Sequence, residues 1–196
     1  MKKIGFSACT LLLLLALLCF ADGEMIAVTL AAVTLHEAGH FAAIYCMGER
    51  IRRFTVAPWG LNLEFTSEKL SYLKEAVIAL CGPLCNLLLF LAAGFFFPRG
   101  GEGKDLFCGI NLILCLFNLI PVYPLDGGMI LRSLLLQYFP LQKALDAVYW
   151  LSVSIGIFLL ACGAGLFIYT KGNITILFAS MVILAFCRTK QLYRIL

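Results

Sequence analysis

His36-Glu37-Ala38-Gly39-His40 places two histidines and a glutamate inside an apolar stretch of the chain. The flanking residues, 26–35 and 41–47, are typical of a membrane-spanning helix. Histidines four residues apart lie on one helical face, the spacing that binds a single metal ion, and the glutamate between them is placed to accept a proton from water. Ionisable groups are costly at mid-bilayer, so the pattern predicts a catalytic metal site; the alternative is a polar pair that holds helices together.

The composition indicates a polytopic membrane protein. Of the 196 residues, 62% are hydrophobic and 13% are charged, and the mean hydropathy is +0.98, far outside the range of soluble proteins. The nine cysteines lie nearly all in apolar runs without a Cys-x-x-Cys pair, which predicts packed side chains rather than disulfides or a cysteine-rich zinc site. The net charge of +4 is not a nucleic-acid signal, because the basic residues follow the membrane topology.

The apolar segments predict an all-α polytopic membrane protein with about six transmembrane helices. They are residues 4–21, 26–47, 76–97, 106–123, 147–169 and 174–187. The last segment is short for a bilayer crossing. The first also resembles a signal peptide, because two lysines precede a leucine-rich run, and we treat it as a retained span.

The basic residues predict the orientation of these spans. With six spans and both ends inside, only three of the 15 lysines and arginines are on the outer side of the membrane: Arg99, Lys104 and Lys171. The other twelve are on the cytoplasmic side. This is the bias of the positive-inside rule, and it predicts an integral membrane protein with both termini cytoplasmic. No loop is long enough for a second folded unit, so residues 1–196 are expected to form a single transmembrane domain.

A third metal ligand must be a carboxylate or a cysteine, because the chain has only two histidines. A catalytic zinc usually takes three protein ligands and keeps a position for water. Of the eleven acidic residues, only Glu37 and Asp126 belong to motifs that are expected at membrane depth; the other nine lie in turns, in loops or at the edges of the predicted spans.

Asp126 lies in a segment that predicts a broken fourth helix. Pro121 and Pro124 interrupt the helix, and Gly127-Gly128 allows a tight turn. Unwound backbone at membrane depth is tolerated only where protein or a water-filled cavity surrounds it, which suits a metal ligand. The alternative is a solvated turn at the inner interface. Beside a histidine pair that needs a third ligand, the metal-binding interpretation is favoured.

Three motifs in this order resemble the site-2 protease family of intramembrane zinc metalloproteases. They are His36-Glu-Ala-Gly-His40 on the second span, Gly82-Pro-Leu-Cys-Asn86 on the third and Asn118-x-x-Pro-x-x-x-Leu-Asp126-Gly on the fourth. The layout is most like the branch of stage IV sporulation protein FB, which implies a bacterial cell membrane. The resemblance implies one zinc ion, His36, His40 and Asp126 as its ligands, and Glu37 as catalytic base. It also implies that Asn86 and Asn118 lie near the substrate backbone; interhelical hydrogen bonding is the alternative for both.

Residues 51–66 predict a short membrane-associated β-hairpin, because a Pro-Trp-Gly turn is followed by alternating apolar residues. It is similar to the re-entrant hairpin of these proteases, whose edge could pair with an extended substrate. An interfacial hairpin anchored by Trp59 is the alternative. Leu61 occurs where many relatives have a second glycine. We expect neither a PDZ domain nor the nucleotide-sensing domain of the sporulation branch.

Together these features predict a zinc metalloendopeptidase of the site-2 protease type. It would cut membrane-associated protein substrates in regulated intramembrane proteolysis and release the product on the cytosolic side. The expected partners are the substrate, the lipid bilayer and either a regulatory membrane protein or a second copy of the chain, with no nucleic acid. The alternative is a non-catalytic zinc-binding membrane scaffold or sensor. The presence of all three metal ligands and the base argues against it.

Overall fold

The computed structural model describes residues 23–49, 51–57, 60–65, 71–96, 101–123 and 125–170. These residues form five helices and two strands. The helices are α1 (Gly23–Cys46), α2 (Tyr72–Phe96), α3 (Glu102–Asn118), α4 (Asp126–Tyr138) and α5 (Leu141–Thr170), and the strands are β1 (Ile51–Ala57) and β2 (Gly60–Phe65). The chain divides into two compact units, Met1–Asn118 and Leu119–Leu196.

Three of the helices in the described ranges are long and apolar enough to cross a membrane. They are Gly23–Cys46, Tyr72–Phe96 and Leu141–Tyr169, with 24, 25 and 29 residues. A helix of 24 residues is about 36 Å long, more than the hydrocarbon core of a bilayer. In α1 only 17% of the apolar 18-residue stretch is buried within the protein, and the share is the same in α5. Both helices therefore leave apolar surface for lipid. The chain is therefore an integral membrane protein, and these helices correspond to the second, third and fifth predicted spans.

The predicted break of the fourth helix is observed, but at a different residue. The helix α3 ends at Asn118 rather than at residue 123, and α4 begins at Asp126. Pro121 explains the early end, because proline disfavours helical backbone at the residue before it and supplies no N–H to the helix. With 17 residues, α3 is shorter than a typical bilayer crossing. The first and sixth predicted spans lie outside the described residues.

The strands β1 and β2 are antiparallel neighbours. Their register runs from Ile51 opposite Phe65 to Ala57 opposite Gly60, with one irregularity between Ile51 and Arg53. They occupy the range in which the sequence predicts a hairpin. Residues 58–59 lie outside the described residues, and the association of the hairpin with a membrane stays a prediction.

In the first unit, α1 packs closely against α2 and α3. The buried residues of α1 recur along one side of the helix: Ala32, His36, His40, Ala43 and Ile44. Gly39 permits the close approach to α2, since a Cβ there would lie 2.7 Å from the carbonyl oxygen of Cys81 and 2.9 Å from the Cβ of Cys85. Small residues are how membrane helices bring their backbones together. The contact holds the histidine face of α1 against α2.

In the second unit, residues 119–123 fold back over the start of α4. A Cβ at Gly127 would lie 2.3 Å from the carbonyl oxygen of Leu119, and one at Gly128 would lie 2.3 Å from the backbone nitrogen of Tyr123. Two consecutive glycines are therefore required for this contact. Asp126, directly before them, is carried on the first turn of α4.

Ser152 of α5 ties this non-helical segment to the rest of the second unit. The Tyr123 N–H donates to Ser152 Oγ at 3.0 Å, and the Ser152 hydroxyl donates to the carbonyl oxygen of Val148 at 2.7 Å. Ser152 and Val148 are fully buried. Because a buried N–H without an acceptor is costly, this hydroxyl lets helical backbone stop inside an apolar environment.

Candidate metal centre

His36 and His40 lie one turn apart on the buried side of α1, with 6% and 9% of their surface exposed. Their Nε2 atoms are 3.2 Å apart, and the planes of the two imidazole rings meet at 85°. The spacing of four residues thus brings the two nitrogens to one point, as the sequence predicts.

The tautomer of His40 follows from its backbone partner. Its Nδ1 lies 2.8 Å from the carbonyl oxygen of Ile78 on α2. A carbonyl oxygen can only accept, so Nδ1 carries the hydrogen and donates. The Nε2 of His40 therefore carries the lone pair.

The tautomer of His36 follows from the orientation of a buried amide. Asn86 on α2 donates from its Nδ2 to Asn111 Oδ1 of α3 at 2.8 Å and, at the longer distance of 3.3 Å, to the carbonyl oxygen of Ala32, which can only accept. The amide oxygen of Asn86 therefore faces His36 and accepts from its Nδ1–H. The Nε2 of His36 then carries the lone pair, as in His40.

This arrangement suits a metal ion. The two Nε2 nitrogens are 3.2 Å apart. In the tautomers inferred above neither carries a hydrogen for the other, whereas one metal cation can bind both. Gly82 of α2 leaves room beside them, because a Cβ there would lie 2.3 Å from Nε2 of His40 and 2.8 Å from Nε2 of His36. Neutral imidazoles with their other nitrogen bonded to an oxygen acceptor are the common form of histidine zinc ligands. The residues of the first unit therefore fit zinc.

The remaining predicted site residues lie on three different helices. Glu37 is half-buried on α1, next to His36. Asn118 ends α3, and its Nδ2 donates to the carbonyl oxygen of Leu114 at 3.0 Å. Asp126 is half-buried at the start of α4, in the second unit. The first unit thus brings His36, His40 and Asn86 together, and the roles of Glu37, Asn118 and Asp126 stay predictions.

Asn86 forms the interhelical hydrogen bonds that the sequence leaves as an alternative. It is fully buried, and it contacts His36 and Ala32 of α1 and Asn111 of α3. A contact with substrate stays a prediction for this residue.

Asn111 is a component of the site that no sequence motif singled out. It is fully buried on α3, its Oδ1 accepts from Asn86 Nδ2 at 2.8 Å, and its Nδ2 donates to the carbonyl oxygen of Phe107 at 2.9 Å. The sequence feature that could have identified Asn111 is an amide inside a predicted span, two turns before Asn118 on the same side of the helix.

Comparison with known proteins bears on the fold and then on the family. The chain is similar to the solved structure of the site-2 protease from Methanocaldococcus jannaschii, with a TM-score of 0.69, 21% sequence identity and coverage of 97% of this chain and 93% of that one. At this identity the likeness shows the fold. The architecture is thus that of a site-2 protease.

The sequence comparisons agree with this fold. Residues 105–161 match the model of peptidase family M50. Stage IV sporulation protein FB of Bacillus subtilis is 34% identical over 119 residues, which are 59% of this chain and 41% of that protein. A zinc metalloprotease of Methanocaldococcus jannaschii is 30% identical over 138 residues, 67% of this chain and 40% of the relative.

The resemblance drawn from the three motifs is confirmed. Residues 105–161 resemble peptidase family M50, the chain is similar to stage IV sporulation protein FB, and its fold is similar to that of a site-2 protease. The chain spans about two-fifths of the length of the curated relatives it matches, 41% and 40% of the two described above.

The space beside the two Nε2 atoms can be tested with Gly82→Ala. The added methyl group would collide with both imidazoles, so metal binding should weaken by at least the roughly 10–100-fold that follows loss of a supporting group around a zinc ligand. Bound zinc is measured by atomic emission on the purified protein and its affinity by chelator competition. Gly94→Ala is the matched control on the same helix, because, apart from its chain neighbours and the local backbone of its own helix, no atom of the described residues lies within 4 Å of its added Cβ. Normal zinc affinity in Gly82→Ala would contradict this geometry.

Proposed function

We propose that this protein is an intramembrane zinc metalloendopeptidase that hydrolyses peptide bonds of membrane-associated protein substrates. The observation that carries the proposal is the pair of buried Nε2 nitrogens 3.2 Å apart on α1, a helix long enough to cross a membrane. The family is named as a peptidase family, and a relative is named as a zinc metalloprotease. A buried, oriented histidine pair in an apolar helix is expensive and is best explained by function.

In this proposal zinc is held by His36, His40 and Asp126. Two neutral imidazoles and one carboxylate leave a net positive charge and a coordination position for water. Support for Asp126 comes from its place in the third motif and from the glycines after it, which let α4 begin directly after non-helical backbone. An acidic residue in the first turn of a helix is also favoured by the helix dipole.

Glu37 is the proposed catalytic base. Zinc, when bound, supplies a Lewis acid that brings the pKa of water towards neutral. Glu37 follows His36 on α1, at the same depth, and would accept the proton of the attacking water and then give it to the leaving amine.

Substrate binding involves extended backbone in this proposal. A helical substrate hides its peptide bonds, so a short stretch must unwind before cleavage. An edge of the β1–β2 pair offers main-chain hydrogen bonds to such a stretch. Asn118, at the end of α3, is the amide proposed to lie near the substrate backbone, whereas the contacts of Asn86 favour an interhelical role.

We also propose that this proteolysis is regulated and takes place at a bacterial cell membrane, with both termini in the cytoplasm and product release into the cytosol. Twelve of the 15 basic residues on the inner side support this orientation. A regulatory membrane partner, or a second copy of the chain, would control access of the substrate. The competing function is a non-catalytic zinc scaffold or sensor, which shares the metal site but has no need of a base.

Glu37→Gln separates the two functions. The amide keeps the size of the side chain but cannot accept a proton, so cleavage should fall by at least roughly 10²–10⁴-fold while zinc stays bound. Mass spectrometry of membranes from cells with the wild type or the variant identifies peptides cut within apolar segments. Glu24→Gln, at the other end of the same helix, is the matched control and should leave cleavage unchanged. Cleavage at the normal rate in Glu37→Gln would refute the mechanism, and zinc binding without any wild-type cleavage would favour the scaffold.

Asp126→Ala tests the third ligand. Losing a ligand should lower zinc affinity by more than the roughly 10–100-fold that follows loss of a supporting group. Zinc content and chelator competition measure this on purified protein, with Asp146→Ala on α5 as the control. Zinc bound at normal affinity in Asp126→Ala would place the ligand elsewhere. Cys46, at the end of the histidine helix, or a cysteine of the fourth predicted span would be examined next.

Cysteine labelling tests the orientation. In a variant without the native cysteines, a single cysteine at position 104 should react with an impermeant reagent in intact cells, because Lys104 is counted on the outer side. A cysteine at position 143, which the same count places inside, should react only after the inner face is exposed. The reverse pattern would overturn the orientation and the cytosolic release.

A further inference from the structure

A chain of buried amides connects His36 to a backbone carbonyl on α3. His36 Nδ1–H donates to the amide oxygen of Asn86. Asn86 Nδ2 donates to Asn111 Oδ1 at 2.8 Å, and Asn111 Nδ2 donates to the carbonyl oxygen of Phe107 at 2.9 Å. Both asparagines are fully buried between the helices, so water does not substitute for either partner.

The direction of this chain is fixed at its far end. An amide can in principle exchange its oxygen and nitrogen by rotation, but the carbonyl of Phe107 can only accept and therefore faces Asn111 Nδ2. This places the Asn111 oxygen towards Asn86, which must present its Nδ2 there and its oxygen towards His36. If Asn86 turned over, its Nδ2 would face His36 Nδ1 and require the hydrogen to lie on Nε2, where the metal-binding lone pair is needed.

Asn111 constrains Asn86 more strongly than the backbone of α1 does. The other acceptor of Asn86 Nδ2, the carbonyl oxygen of Ala32, is 3.3 Å away, beyond the usual range for an N–H···O bond. The bond to Asn111 Oδ1, at 2.8 Å, is well within it. The orientation of the Asn86 amide therefore depends mainly on a residue that does not contact His36.

We propose that Asn111 is a positioning residue that acts through Asn86 to hold His36 in the tautomer with a lone pair on Nε2. The inference rests on the proposed function only in taking His36 as a zinc ligand. His40 is held in the same tautomer by the backbone carbonyl of Ile78, which no side-chain substitution removes. The two histidines thus differ in how their tautomers are fixed, and His40 serves as an internal reference.

The test is imidazole ¹⁵N NMR of the zinc-free protein, which is simple to assign because the chain has only two histidines. In the wild type both rings should carry hydrogen on Nδ1. In Asn111→Leu, which keeps the size but removes the acceptor, His36 should gain the Nε2–H tautomer while His40 is unchanged. Zinc affinity should fall by roughly 10–100-fold. Asn111→Asp keeps an oxygen acceptor for Asn86 and should restore both the tautomer and the affinity.

Asn118→Leu is the matched control, since it removes another α3 amide that donates to the carbonyl four residues earlier. It should leave the His36 tautomer unchanged. The proposal is overturned if His36 in Asn111→Leu keeps Nδ1–H and normal zinc affinity. If Asn111→Leu does not fold, as a changed His40 signal would show, Asn111→Asp decides, because loss of the His36 Nδ1–H there contradicts the proposal. Failure of this inference leaves the Glu37 experiment unaffected, because no catalysis is measured.

Discussion

Each buried imidazole must form a hydrogen bond through its Nδ1. This requirement determines which groups surround His36 and His40. A neutral imidazole in an apolar helix has one N–H to satisfy, and leaving it unpaired is costly. For His40 the acceptor is a backbone carbonyl of α2, which is reachable only because Gly39 allows α1 and α2 to approach closely. For His36 it is an amide that must itself be satisfied, so α3 is required as well.

A second constraint governs the other compact unit, where helical backbone stops in an apolar environment. Each N–H and carbonyl released from a helix needs a new partner when no water is present. Ser152 accepts from the Tyr123 N–H, and Gly127 and Gly128 let the segment lie directly on the start of α4. The same features that make the break tolerable also place Asp126 on the first turn of a helix.

The sequence predicted the parts of the protein that depend on local chemistry. Histidine spacing and prolines act within a few residues, so the histidine face and the broken helix were both predictable. The exact end of α3 was not predicted, because a proline disfavours helical backbone before its own position and α3 ends before Pro121. Asn111 was not predicted either. Its role depends on which helix lies opposite, and periodicity shows which residues share a face but not their partners across helices.

The choice of amides around His36 has an electrostatic consequence. A carboxylate would also accept from Nδ1–H, but burying a second charge beside the metal ligands would cost several kcal/mol unless it were paired. An amide orients the ring without adding charge. Rotation of the amide exchanges its oxygen acceptor for its nitrogen donor, whereas rotation of a carboxylate exchanges two equivalent acceptors. When the partner of His36 is a neutral amide, a further group is therefore needed to fix the orientation of that amide. Asn111, anchored in turn on the Phe107 carbonyl, meets that need with groups that carry no net charge.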